Sequence, residues 1–217
     1  MQIVAGKLDE FVGLFEERYQ PLMSKAGARL VALWETVALS LPWPQAIALW
    51  EVDDLRHYAA VARANYDGEQ APRFREWRNA LGAVSTGGAG RILVPAAGGP
   101  TLADLKKNGV SAQLCVHEIL TTQPDKQRDY VDGIEKLWMP YAVRNGRRWI
   151  GTYSTSWKNF EAVSIWALEN GWEGLAHHYT RDVSRDAELK TWMQIAIALR
   201  ERYDDGLLHA LPPTPLR

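Results

Sequence analysis

Phe15-Glu-Glu-Arg-Tyr19-Gln-Pro21-Leu-Met-Ser-Lys-Ala-Gly27-Ala-Arg29 aligns with Ile134-Glu-Lys-Leu-Trp138-Met-Pro140-Tyr-Ala-Val-Arg-Asn-Gly146-Arg-Arg148. Both stretches carry an aromatic-x-Pro step and a Gly-x-Arg step, at a constant offset of 119 positions. Further on, Ala46-Ile-Ala-Leu-Trp50-Glu-Val answers Ala162-Val-Ser-Ile-Trp166-Ala-Leu at an offset of 116, as a shorter hairpin loop in the second copy would produce. Shared residues in the same order mark an internal duplication, and a duplication decides the fold before any single element does.

Each copy reads as the same series of elements. Leu8, Phe11, Val12, Phe15, Tyr19, Leu22 and Met23 recur every three or four positions, one face of an amphipathic helix. Pro21 should kink that helix and Gly27 should end it. Residues 29–37 form a β-rich run, Ser40-Leu-Pro-Trp-Pro44 is turn chemistry, and 46–52 is a second strand. Asp53-Asp54 then caps a helix carrying Leu55, Tyr58 and Val61. The second copy repeats the order, with a helix over 125–145, strands over 149–156 and 160–168, and a helix over 170–179. It is preceded by Gln113-Leu-Cys-Val-His-Glu-Ile-Leu-Thr121, a strand for which the first copy has no room, because Met1 answers Leu120. The first strand of copy one is therefore expected to be missing or cut short. A final amphipathic helix is expected over 186–203, followed by an extended Leu211-Pro-Pro-Thr-Pro tail.

The resulting fold class is α+β: two tandem ferredoxin-like repeats, each an antiparallel sheet with helices on one face, packed together as an α+β barrel. The expected division is 1–100 for the first repeat with its connector and 101–217 for the second. The 217 residues, 47% of them hydrophobic, suffice to bury a core without staples. With 25 Lys+Arg against 26 Asp+Glu, the chain lacks the basic surplus of a nucleic-acid binder. The single Cys115 excludes an intrachain disulfide framework and any site built from several cysteines. No run of 18 apolar residues exists, and the opening residues lack a signal-peptide pattern, so a cytoplasmic protein without membrane contact is expected.

Three stretches carry a family resemblance. Gly6-Lys-Leu-Asp-Glu-Phe11, Gly27-Ala-Arg-Leu-Val-Ala-Leu-Trp-Glu-Thr36 and Ala48-Leu-Trp-Glu-Val-Asp-Asp-Leu55 resemble NIPSNAP-type proteins of the dimeric α+β barrel superfamily. Arg73-Phe-Arg-Glu-Trp77 and Arg91-Ile-Leu-Val-Pro95 resemble the segment closing the first repeat there. The second copy departs from this pattern at Tyr153-Ser-Thr and at Trp166-Ala-Leu-Glu-Asn. The resemblance implies a homodimer, and a superfamily that ranges from cofactor-independent monooxygenases through isomerases and cyclases to haem enzymes. The fold does not choose among them.

Residue chemistry narrows the choice. His117 lies mid-strand and can take a proton near neutral pH; it is the leading general base. Glu118 points to the other strand face and is the alternative base, since the two cannot line one cavity. Tyr153 can donate its hydroxyl to a carbonyl or developing oxyanion. Trp34, Trp50 and Trp166 on strands, and Trp43 and Trp157 near hairpin turns, would wall a pocket for an apolar or aromatic ligand, with Glu35, Ser154 and Thr155 adding polar contacts. Duplication explains part of the excess of 10 Trp, because Trp50 and Trp166 are matched positions better suited to core packing. Adjacent His177 and His178 diverge on a helix, and neither a local metal motif nor a dinucleotide loop is present, so no metal and no cofactor is expected. The expected function is proton-transfer chemistry on a small molecule: isomerisation, cyclisation or elimination. The alternatives are a non-enzymatic binding or scaffold protein and a cofactor-independent monooxygenase.

Overall fold

In a computed structural model the described residues are 1–37, 41–180 and 186–216, which leaves out Ser40 of the expected turn and also the side chain of His178. The chain forms two compact units, Met1–Ala89 with His209–Arg217, and Gly90–Leu208. The boundary thus falls before the expected position, and the C-terminal residues return to the first unit.

In the first unit, β1 (Gln2–Ile3) leads to a helix made of α1 (Leu8–Leu14), a π-helical turn (Phe15–Tyr19) and α2 (Gln20–Lys25). Then come β2 (Arg29–Thr36), β3 (Ala46–Glu51), α3 (Leu55–Tyr66), α4 (Ala71–Leu81) and β4 (Ser85–Gly87). The π turn is how the helix accommodates Pro21: the ring cannot donate to the preceding turn, and one extra residue is absorbed just before it. The Gln20 N–H accordingly reaches back five residues to the Phe15 carbonyl. Gly27 ends the helix at φ +97°, where a Cβ would also lie 2.6 Å from His57 Nε2. Asp54 caps α3 as expected, accepting from the His57 N–H at 2.7 Å.

The strand expected to be missing or cut short is present as two residues. Gln2 pairs with Gly87 and Ile3 with Ser85, while a bridge from Gln2 to Gln45 ties β1 to the entry of β3. By the 119 offset these residues answer Thr121 and Thr122, the end of the corresponding strand in copy two. Phe11, Phe15, Leu30, Leu33, Ala46 and Trp77 form the core of this unit. The expected extended tail is used as structure: the Thr214 hydroxyl donates to the Leu33 carbonyl at 2.6 Å, and the Leu33 N–H donates to Thr214 Oγ1 at 2.9 Å.

The second unit contains β5 (Leu93–Pro95), α5 (Leu102–Lys107), β6 (Leu114–Thr122), then α6 (Gln127–Gly133), a π-helical turn (Ile134–Trp138) and α7 (Met139–Arg144). It continues with β7 (Arg147–Thr155), β8 (Glu161–Leu168), α8 (Gly171–Thr180), α9 (Ala187–Leu199) and β9 (Arg200–Ala210). Its strands are ordered β9-β6-β8-β7-β5, antiparallel at β6–β8, β8–β7 and β7–β5. The first four strands complete a ferredoxin-like sheet. The two π turns sit at equivalent places, each just before its proline.

The final helix expected over 186–203 stops at Leu199, and Arg200–Ala210 is the fourth strand. Its opening, Arg-Glu-Arg-Tyr-Asp-Asp, reads as polar helix because charges dominate it. Only Tyr203 and Leu207, two strand periods apart, betray its inward face by packing on the core. Among the described residues no helix is long and apolar enough to cross a membrane.

A candidate active site on one face of the second sheet

Alternation along β6 sorts the candidates. Leu114, Val116 and Leu120 join Tyr130, Ile134 and Trp138 in the helix-packed core, so the even-numbered residues of β6 face the helices. Cys115, His117 and Ile119 occupy the far face. The register carries this division across the sheet: His117 opposes Ile165, which opposes Gly151, while Ile119 opposes Val163, which opposes Tyr153.

His117 is 7% exposed, and its Nδ1 has no hydrogen-bond partner among the described residues. Burial and, after it, the positive charge of Arg91 push its pKa down to about 4. The imidazole is therefore neutral at physiological pH and holds a lone pair for a proton. Tyr153 lies on the same face. Its ring folds back over Gly151, where a Cβ would come within 2.1 Å of the phenolic oxygen, and its hydroxyl donates to the Ile150 carbonyl at 3.4 Å. The hydroxyl thus stands over the row Gly151–Ile165–His117, about two strand spacings (~10 Å) from His117 along the sheet. Gly151→Ala should evict the Tyr153 ring and cost about 1–3 kcal/mol. Urea unfolding would read the loss, and an unchanged midpoint would show that the ring has another place to go.

Glu118 turns into the opposite face, as the alternation requires. Trp166 Nε1 donates to its Oε2 at 3.2 Å, and Arg147 Nη1 stands 3.7 Å from its Oε1. Burial raises the Glu118 pKa, and the Arg147 charge opposes the rise. Trp166, fully buried, meets Trp138 edge-on at 6.3 Å. Glu118 and Trp166 are thus core groups, held among helices and turned away from His117.

In the first unit Trp50 packs against Phe15 and Tyr19 on the helix side, at 5.9 and 5.8 Å. It too is a core residue and no pocket wall of the far face. Trp34 is buried on the far face of β2, opposite Ile47, whereas Glu35 turns the other way and lies 3.3 Å from His209 Nδ1. The hairpin residues are exposed, Trp43 by 54% and Trp157 by 89%, the latter at φ +61°. An open recess of about 270 Å3, lined by Lys25, Ala60, Arg63, Ala64, Gly68, Glu69 and Gln70, contains none of the candidates.

Two charged residues of the far face escape notice in the sequence. Glu161, which opposes Thr121, accepts from Arg91 Nε at 2.8 Å and from Arg91 Nη2 at 3.3 Å, and Lys158 Nζ lies 3.3 Å from its Oε2. Strand alternation through 160–168 places Glu161 beside Val163 and Ile165. The reach of Arg91 could not be read, because it follows an irregular Gly-rich segment. Among the described residues no group of three or more His, Cys, Asp or Glu could hold a metal ion.

The fold has solved counterparts. Two crystal structures, one from Lactobacillus acidophilus and one from Fusobacterium nucleatum, are each called a "putative monooxygenase". The first is 10% identical, with 97% of this chain and 90% of that one covered at a TM-score of 0.59. The second is 8% identical, with 97% and 88% covered, also at 0.59. The likeness shows a common α+β fold. No protein-family model and no curated protein matches the sequence, so the NIPSNAP resemblance stands on the quoted motifs alone.

Proposed function

We propose that this chain is a small-molecule enzyme that works without a metal or nucleotide cofactor, and that its reaction opens with proton abstraction by His117. The observation carrying this reading is a buried, neutral imidazole with an uncommitted Nδ1 on the far face of the second sheet. Structural imidazoles in such places are hydrogen-bonded, because an unmet polar atom is costly. Tyr153, in the neighbouring row, is the hydrogen-bond donor to the substrate.

Of the chemistries a base can begin, oxygenation of an electron-rich phenol or activated methylene has the support of the shared fold. Removal of the proton leaves an anion able to give electrons to dioxygen. Its overall balance is CH2 + O2 → C=O + H2O, with one oxygen atom entering the product. The test is oxygen uptake by purified protein over a panel of electron-rich phenols and anthrone-type methylenes. One O2 consumed per product, and no product under argon, is the expected result. Product formed equally well under argon would replace oxygenation by isomerisation, cyclisation or elimination.

A non-enzymatic binding or scaffold role is the second reading. It draws on the complete burial of Trp34 on the far face of β2. The NIPSNAP-type motifs fit either reading.

A further inference from the structure

The helix-facing side of the second sheet carries a polar cluster that the first unit does without. The repeat allows a comparison position by position, since the bulge in β2 between Leu30 and Ala32 recurs in β7 between Trp149 and Gly151. Arg147, Thr152 and Ser164 stand where the first unit has Ala28, Leu33 and Ala48, all three packed in apolar core. The Thr152 and Ser164 hydroxyls are 3.1 Å apart, and Ser164 opposes Glu118 across the β6–β8 ladder. One architecture closes over both sets, so the polar set is not a demand of the fold.

Glu118, 4% exposed, is its centre. Trp166 of β8 donates to one carboxyl oxygen, and Arg147 of β7 stands near the other. The Tyr203 hydroxyl of β9 meets the same carboxyl. That hydroxyl also lies 3.4 Å from Oδ2 of Asp205, an exposed residue two positions along the same strand face. From α6, Tyr130 feels the Glu118 charge and hydrogen-bonds Arg200, whose guanidinium lies 4.1 Å from the centre of the Tyr203 ring. Among the described residues the titratable and charged groups around Glu118 are thus Arg147, Tyr203, Asp205, Tyr130 and Arg200, while α9 brings only the Trp192 ring. Burial raises the Glu118 pKa, with Asp205 adding to the rise and Arg147, Trp166 and Tyr203 opposing it. Burial raises Tyr130 and Tyr203 too, so both phenols keep their protons.

We propose that Glu118 is a proton-binding site inside the second unit, loaded from solvent through Asp205 and the Tyr203 hydroxyl. The proposal is independent of the role given to His117. In the transfer, a proton taken up by the exposed Asp205 carboxylate passes to the Tyr203 oxygen as the Tyr203 hydroxyl proton passes to Glu118. The tyrosine ends with as many protons as it began, Asp205 returns to its ionised form, and the Glu118 carboxylate becomes a neutral acid. A raised value means that the folded chain holds this proton more tightly than the unfolded one. Its contribution to stability is therefore complete below the ordinary carboxylate range and is lost as pH rises through the folded value. The sign is opposite to that of His117, one residue away on the other face.

Infrared absorption of protonated carboxyl groups, followed against pH in the intact chain, reads the site directly. At pH values where exposed carboxylates have ionised, the wild type should keep a protonated-carboxyl band that Glu118→Gln removes. Tyr203→Phe should hold that band to higher pH, because a donor to the ionised form is gone. After a pH jump, however, it should exchange the proton at least about tenfold more slowly than wild type, since the positioned hydroxyl that carries it is missing. Denaturant midpoints give a second reading: those of the wild type should fall more steeply than those of Glu118→Gln as the band disappears with rising pH. A wild type without the band, or a band that Glu118→Gln leaves unchanged, would overturn the proton site. Exchange in Tyr203→Phe at the wild-type rate would overturn the route through the hydroxyl, and with it the proposal as stated.

Discussion

Replacing His117 with glutamine is expected to lower kcat/KM by about 10²–10⁴-fold, the range supplied by a positioned general base. Glutamine keeps polarity and approximate size, so the loss would reflect the missing basic nitrogen and not a collapsed strand. The substitution carries a second signature, in stability. A histidine of ordinary pKa 6.5 in the unfolded chain and about 4 in the folded one binds fewer protons when folded. Its contribution is therefore complete above pH 6.5 and is withdrawn as pH falls through that window toward 4. The difference corresponds to about 3 kcal/mol. Denaturant midpoints of the wild type should fall between pH 6.5 and 4, and those of His117→Gln should fall less. Equal acid sensitivity in the two proteins would mean that the imidazole is not buried and neutral, and the proposed chemistry would lose its base.

Trp166→Ala should be the most damaging single truncation in the second unit. The indole is completely buried, packs edge-on against Trp138, and supplies the N–H that meets Glu118 Oε2. Removing a large buried aromatic costs about 3–5 kcal/mol. Leaving a buried carboxylate short of a donor adds about 1–3 kcal/mol. A sum of that size rivals the whole stability of an ordinary domain. Trp166→Phe separates the contributions, because it keeps most of the ring and removes only the N–H. Thermal melts followed by circular dichroism should rank the proteins wild type, then Trp166→Phe, then Trp166→Ala. A Trp166→Ala protein melting within a few degrees of wild type would contradict the assignment of this residue to the core.

The candidate site was only half legible before folding. Alternation along 113–121 was enough to set His117 and Glu118 on opposite faces, because strand side chains alternate whatever surrounds them. The matched Trp50 and Trp166 carried the mark of shared packing, and both turn to the helices. Arg91 could not be found by any such rule. It lies 70 positions from Glu161, and the contact depends on the pairing of β5 with β7 and of β7 with β8. The same holds for Tyr153, which is legible as a strand residue but not as a ring folded over Gly151.

What the amino-acid sequence determined by itself was the repeat and its order of elements. Periodicity, the two prolines and the two glycines act locally, and they reappear as paired π turns and paired left-handed helix ends at Gly27 and Gly146. What the tertiary structure alone decided was how the edges are finished. Gln2–Ile3 becomes a strand because Ser85–Gly87 and Gln45 offer it partners, and Arg200–Ala210 becomes one beside β6 despite a helix-like run of charges. A backbone that can satisfy its hydrogen bonds in more than one way is settled by the neighbour that completes them, and that neighbour lies far away in the chain.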